Sequence, residues 1–225
     1  MWPSWLGNLI GRFAVDKIKD NSMQQLQKGD LLIDTSKWNG NIDWNKVKAD
    51  PQKIKGVIIK ASEGSTYRHP TVFKQADGAT AAGLPVGYYH FATWNSEDEV
   101  KDAADEARFF LSVVKGAKPP TLPLVLDIES NNPIPYTKQE MIDYVSSFVK
   151  VIKDAGYSVA IYASPGFLNS YLPANHPFID IPLWVADFTG AINPVPAWEK
   201  IWLHQYSEKG KVQGITTNVD MNRVQ

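Results

Sequence analysis

The stretch Pro123-Leu124-Val125-Leu126-Asp127-Ile128-Glu129-Ser130 is an apolar run that stops in two carboxylates. Leu124, Val125, Leu126 and Ile128 read as a strand covered on both faces, the kind that a parallel barrel or a doubly wound sheet supplies. Side chains at i and i+2 of a strand share a side, so Asp127 and Glu129 emerge together, roughly 6 to 7 Å apart along the chain. Two carboxylates that close, at the end of an apolar strand, cannot both ionise freely. One keeps its proton toward neutral pH, as general acid catalysis requires. A strand end that merely meets water would carry the same pair and do nothing, so its meaning depends on the rest of the chain.

Composition narrows the choices. The 225 residues suit one large domain, and 44% hydrophobic against 21% charged residues allow a sizeable core. Lysine and arginine number 23 and aspartate and glutamate 24, a balance that leaves no electrostatic footprint for nucleic acid. The absence of cysteine excludes disulfides and cysteine-based metal sites, and the four histidines form no H-x-x-x-H pattern for zinc. No phosphate loop, nicotinamide or flavin fingerprint, or serine nucleophile elbow occurs, so no cofactor and no metal are expected. The eight tryptophans and nine tyrosines, many beside strand ends, suit the apolar faces of sugar rings as well as a core.

Outward from the central strand, strand and helix signals alternate. Leu31-Leu32-Ile33 runs into Asp34; Gly56 to Lys60 is followed by Ser62-Glu63-Gly64; Pro85 to Phe91 ends in Tyr88-Tyr89-His90-Phe91. A helix over 71–82 stops at Gly83. Ser96 with Glu99 and Thr137 with Glu140 form capping boxes that open two longer helices, the second ending at Gly156. Val159-Ala160-Ile161-Tyr162, Pro182 to Asp187, Ile201 to Tyr206 and Thr216 to Val224 complete eight strands, with helices mainly in the first half. Eight strands in this order predict an α/β, irregular TIM-like barrel whose active site lies at the C-terminal strand ends. Asp34, Glu63, His90, Asp127, Glu129, Tyr162, Asp187 and Gln205 all sit there, and closure would bring Asp34 beside Asp220.

Residues 1–30 read as a separate amphipathic extension to a barrel over 31–225. Trp2, Trp5, Leu6, Leu9, Ile10, Phe13 and Ile18 recur at helical spacing, with Arg12, Asp16, Lys17 and Asp20 between them. Arg12 interrupts the only apolar core a signal peptide could use, and the segment is too short and too charged to span a bilayer. A helix packing on the barrel or on a partner chain, contact with a membrane surface, a flexible leader, and a remnant of a longer assembly protein are the alternatives.

Several segments together resemble glycoside hydrolase family 25, the lysozyme-like muramidases. They are Ile33-Asp34-Thr35-Ser36-Lys37-Trp38-Asn39-Gly40 with Ile42-Asp43-Trp44, Lys60-Ala61-Ser62-Glu63-Gly64, Gly83 to Phe91, Leu126-Asp127-Ile128-Glu129, Ile161 to Ser164, Leu183 to Ala186, Gln205-Tyr206-Ser207, and Asn218-Val219-Asp220-Met221-Asn222. The resemblance implies a (β/α)5(β)3 barrel that cuts peptidoglycan at the β-1,4 bond between N-acetylmuramic acid and N-acetylglucosamine. It makes Glu129 the general acid/base, gives Asp127 the 2-acetamido group, and matches Asp34 and Asp220 to the remaining acidic positions. The extension and the lack of wall-binding repeats depart from the ordinary catalytic module, whereas Ser62 and Thr35 are mild changes. Retention of anomeric configuration follows, by a carboxylate nucleophile or by the substrate's own acetamido oxygen.

Tyr89, Tyr162, Trp184 and Trp202 are candidates for sugar stacking, and Glu63, His90, Asp187 and Gln205 for polar contact with substrate. Trp38 and Trp44 are expected to pack around the first loop, and Asn218 and Asn222 to hold the last one. Two other functions fit the same residues: a noncatalytic wall-binding or virion module, and a hydrolase of another acetamido-sugar polymer such as chitin. A wall target without a signal peptide points to delivery by phage lysis, a holin or a virion.

Overall fold

The computed structural model describes residues 26–94, 97–129, 134, 136–198 and 201–225. The helix expected near the N-terminus and the capping Ser96 lie outside the described residues. Among the described residues there are nine strands: β1 (Leu31–Thr35), β2 (Ile54–Glu63), β3 (Tyr67–Arg68), β4 (Val86–Phe91), β5 (Leu124–Asp127), β6 (Val159–Ala163), β7 (Leu183–Ala186), β8 (Ile201–Gly210) and β9 (Val219–Val224). Eight of them close in the order β1-β2-β4-β5-β6-β7-β8-β9, with β9 returning to β1. β9 runs antiparallel to both neighbours and the other barrel pairings are parallel. β3, two residues hairpinned onto β2, stands outside the ring and left no periodic signal in the sequence.

Among the described residues five α-helices accompany the strands: α1 (Trp44–Ala49), α2 (Val72–Ala81), α3 (Glu99–Gly116), α4 (Lys138–Asp154) and α5 (Pro165–Tyr171). The capping box of Thr137 and Glu140 forms as expected, Glu140 N–H donating to Thr137 Oγ1 and Thr137 N–H to the Glu140 carboxylate. At α3 the capping side chain is that of Asp98, which accepts from Lys101 N–H at 2.9 Å. Gly83 ends α2 region with φ +72°, a left-handed conformation that glycine adopts without a Cβ penalty. Gly78 lies inside α2 for another reason: a Cβ there would come within 2.2 Å of Trp44 Cδ1, because the indole rests against the helix.

Alternation along the strands sorts the core into two layers. Ile33, Ile59, Leu124, Leu126 and Ile161 face outward into the layer shared with the helices, where Val47, Ala76, Phe110, Val145 and Phe148 are buried. Leu32, Ile58, Val125, Ala160, Leu203 and Val224 face inward and fill the barrel. Each such aliphatic side chain contributes about 1.5 to 3 kcal/mol through burial. The inward parity then continues to Asp34, Lys60, Asp127, Tyr162 and Gln205 at the C-terminal ends. The barrel is thus apolar at one pole and polar at the other.

Candidate active site

At the polar pole a pocket of about 240 Å³ is lined by Asp34, Tyr89, Asp127, Glu129, Tyr162, Trp184, Phe188, Gln205, Glu208 and Asp220. Asp34 and Asp220 are direct Cα partners across the β1–β9 seam, so closure of the sheet brings together residues nearly at opposite ends of the described chain. Asp127 ends β5 and Glu129 follows two residues later, on the same side, as the strand period requires. Aromatic walls come from β4, β6 and β7, with Tyr162 and Trp184 in edge contact at 4.7 Å between ring centroids and Tyr89 edge-on to Trp184 at 6.4 Å.

Hydrogen bonds fix the inner acid. Gln205 Nε2 and Asn222 Nδ2 each donate to Asp34 Oδ2 at 2.9 Å. The amide oxygens of these two residues are themselves engaged, by Tyr162 O–H at 2.9 Å and by Trp184 Nε1–H at 2.7 Å. Asp127 Oδ1 is buried with no hydrogen-bond partner among the described residues.

All four acids bind their protons more tightly than usual. Burial is the main cause for Asp34, with the Asp220 charge adding to it and the Asn222 and Gln205 hydrogen bonds opposing it. Asp127 is raised by burial and by the Glu129 charge, against the pull of Lys60. Glu129 is raised by burial and by Asp220, again against Lys60. For Glu129, loss of water outweighs the neighbouring acids from which the sequence predicts the shift. Asp220 is raised by burial, with the Glu208 charge adding to it and the neighbouring Asp34 opposing it.

Of the residues expected to touch substrate, Tyr89, Tyr162, Trp184 and Gln205 line the pocket. Trp202 does not. It lies at the start of β8, inside the apolar pole with Leu32 and Val224, where a register shift in the β7–β8 pairing sets it. His90 points out of the barrel instead of into it, with Nδ1 2.8 Å from Ser62 Oγ, Nε2 2.8 Å from Glu106, and its ring packed against both Phe110 and Phe148. Glu63 pairs with Lys60 at 2.9 Å outside the pocket lining. Asp187 braces its own loop: burial would raise its pKa, but hydrogen bonds from Thr189 and Asn193 outweigh this and hold it down to about 2.

Trp44 is buried as expected, but Trp38 is 77% exposed, with the Lys37 ammonium over its ring. Asn222 does not hold the final loop; it is fully buried in the barrel against Asp34. The sequence reasoning also passed over Lys60, Phe188 and Glu208. For Lys60 and Asn222 the signal was present, since each shares inward parity with an apolar or acidic neighbour two residues away. Among the described residues no group of three or more histidines and acids could hold a metal ion, and no helix is long and apolar enough to cross a membrane.

The sequence profile of glycosyl hydrolases family 25 matches residues 33–215. The chain belongs to that family. The family 25 chain is 32% identical over 194 residues to an autolytic lysozyme of Clostridium acetobutylicum, covering 84% of this chain and 54% of that protein. It is 30% identical over 189 residues to a lysozyme of Streptococcus phage Cp-1, covering 81% and 52%. This chain therefore spans about half the length of these two relatives. The crystal structure of a bacterial lysozyme from Streptomyces coelicolor superposes with a TM-score of 0.76 at 25% identity, over 88% of this chain and 93% of that one.

Proposed function

We propose that this family 25 barrel is an N-acetylmuramidase that hydrolyses the β-1,4 bond between N-acetylmuramic acid and N-acetylglucosamine in bacterial peptidoglycan, with retention. The observation that carries this is the convergence of Asp34, Asp127, Glu129 and Asp220 in one aromatic-walled pocket. Glu129, whose proton is held by burial, delivers it to the glycosidic oxygen and then recovers a proton from the attacking water. Asp127 Oδ1 is an unused acceptor for the N–H of the 2-acetamido group; that contact turns the acetamido oxygen toward the anomeric carbon. The Asp34–Asp220 pair supplies negative charge opposite the oxocarbenium-like centre. Tyr89, Tyr162, Trp184 and Phe188 offer faces and edges to the sugar rings, and Gln205 holds Asp34.

A helix after each of β1, β2, β4, β5 and β6, and none described between β7 and β9, supports the (β/α)5(β)3 description. The likeness to a phage lysozyme supports a working place at the bacterial wall, reached through phage-directed lysis. Purified cell walls should lose turbidity with the wild-type protein, and Glu129→Gln should slow this by about 10² to 10⁴. Early-time NMR should show the retained anomer. Wall binding without clearance would instead mark a noncatalytic module, and cleavage of chitin in preference to peptidoglycan, read by product mass, would reassign the polymer.

A further inference from the structure

The turn that follows β1 shows a large aromatic side chain to solvent on a backbone that is firmly held. Ser36 N–H donates to Asn39 Oδ1 at 2.8 Å and Trp38 N–H to Ser36 Oγ at 3.3 Å. Gln75 Nε2 donates to Ser36 O at 2.9 Å, and Lys37 N–H to His69 Nε2 at 3.1 Å. Burial, with Lys60 and Lys37 nearby, holds His69 down to about 4, so that nitrogen is an acceptor at neutral pH. Asn39 Nδ2 donates at 3.0 Å to the carbonyl oxygen of Asn218, which precedes Asp220 by two residues. The turn is thereby tied to the Asp34–Asp220 edge of the pocket. On it Trp38 is 77% exposed, and the Lys37 ammonium lies 5.0 Å from the centre of its ring. The same ammonium is 5.6 Å from the centre of the Tyr67 ring and donates to its hydroxyl at 3.3 Å. Tyr67, also exposed, belongs to β3, the short strand outside the ring.

A single exposed aromatic is ordinary. Two of them joined by one lysine, on a pinned turn beside a cleft, make a surface that gives up little freedom when a ligand settles on it. The pocket itself, at about 240 Å³, is smaller than the about 300 to 1,000 Å³ of sites that enclose a whole ligand, so a polymer seated in it must continue over the rim. We propose that Trp38 and Tyr67, bridged by Lys37, form a second sugar-binding platform that holds the glycan strand away from the bond being cut. Its occupant is an acetamido sugar of that same strand, with the apolar C–H face on the indole. The Lys37 ammonium carries more donors than the one it gives Tyr67, and these meet the sugar's hydroxyl and acetamido oxygens. The platform rests on the muramidase reading, to which it adds a place for the rest of the substrate.

Strand length is the test. On purified peptidoglycan Trp38→Ala should lose about threefold to tenfold in kcat/KM, the scale of one aromatic contact, and the loss should lie in KM. Tyr67→Ala should fall in the same direction by less, and Trp38→Tyr should recover most of the loss. On a tetrasaccharide fragment of the same glycan the penalty should shrink, because too few rings remain to span pocket and platform. Retention of the Glu129→Gln protein on insoluble peptidoglycan reads the contact without turnover, and adding Trp38→Ala should weaken it by a like factor. An equal penalty on fragment and polymer, as a folding defect would give, or no penalty on the polymer, overturns the platform. Wild-type protein that leaves peptidoglycan intact yet is retained on it through Trp38 overturns the muramidase reading alone.

Discussion

Glu106 offers the sharpest test of how the barrel is joined to its helices. It lies on α3 with no exposed surface and accepts from four donors: His90 Nε2–H, Tyr144 O–H, Thr93 O–H and Thr93 N–H. Tyr144 belongs to α4 and His90 to β4, so one carboxylate ties two helices to the sheet. Replacing it by leucine keeps the bulk and removes every acceptor. The histidine can change tautomer, but the Tyr144 hydroxyl, on a fully buried side chain of α4, loses its acceptor. At about 1 to 3 kcal/mol for a buried group left without a partner, Glu106→Leu should cost about 1 to 3 kcal/mol or more. A domain of this kind has about 5 to 15 kcal/mol in all. Glu106→Gln retains one acceptor oxygen and should cost less than the leucine variant. Urea unfolding followed by tryptophan fluorescence, with the slope unchanged, measures both. Since His90 and Glu106 lie outside the barrel, the folded fraction should clear cell walls as the wild type does. A leucine variant within about 1 kcal/mol of wild type would refute the claim that these groups depend on Glu106.

Three further outcomes follow from other parts of the molecule. Gly78→Ala should destabilise the protein in thermal unfolding, although alanine in an open helix usually gains about 0.5 to 1 kcal/mol over glycine, because the new Cβ would strike the Trp44 indole; a gain in Tm would contradict that contact. Lys60→Met removes the cation that favours ionised Glu129 and Asp127. Glu129 should then keep its proton to higher pH, and the alkaline limb of kcat/KM should move upward; a downward shift would sink the electrostatic account. Phe188, 51% exposed on the pocket rim, stands on the loop that Asp187 braces. Phe188→Ala should raise KM several-fold with kcat little changed, Phe188→Tyr should restore it, and a fall in kcat alone would remove the ring from substrate binding.

The site was legible where one rule sufficed. Period-two alternation placed Asp127 with Glu129, and sheet closure placed Asp34 with Asp220. It failed where a side had to be chosen. Tyr89 and His90 are neighbours in one strand, both half polar, and only the presence of Glu106 and Tyr144 behind the sheet shows that the histidine faces outward. Trp202 was misplaced because a register shift between β7 and β8 interrupts the alternation. The helices α1 and α5, six and seven residues long, are too short for a 3.6-residue period to show, although Ser164 followed by Pro165 is a helix start that could have been read. Trp38 fell to the assumption that a large aromatic is buried; a lysine over its ring covers it only in part.

The apolar pole has a consequence of its own. Gly29 N–H donates to Val224 O at 2.9 Å and Val224 N–H to Asp30 O at 3.0 Å, while Leu26 packs among the residues around Trp202. Both the incoming and the outgoing backbone are therefore stitched to the base of the barrel, a full strand length from the trough. A label placed on Gln225, whose N–H donates to Trp202 O, would therefore sit at the pole remote from the pocket.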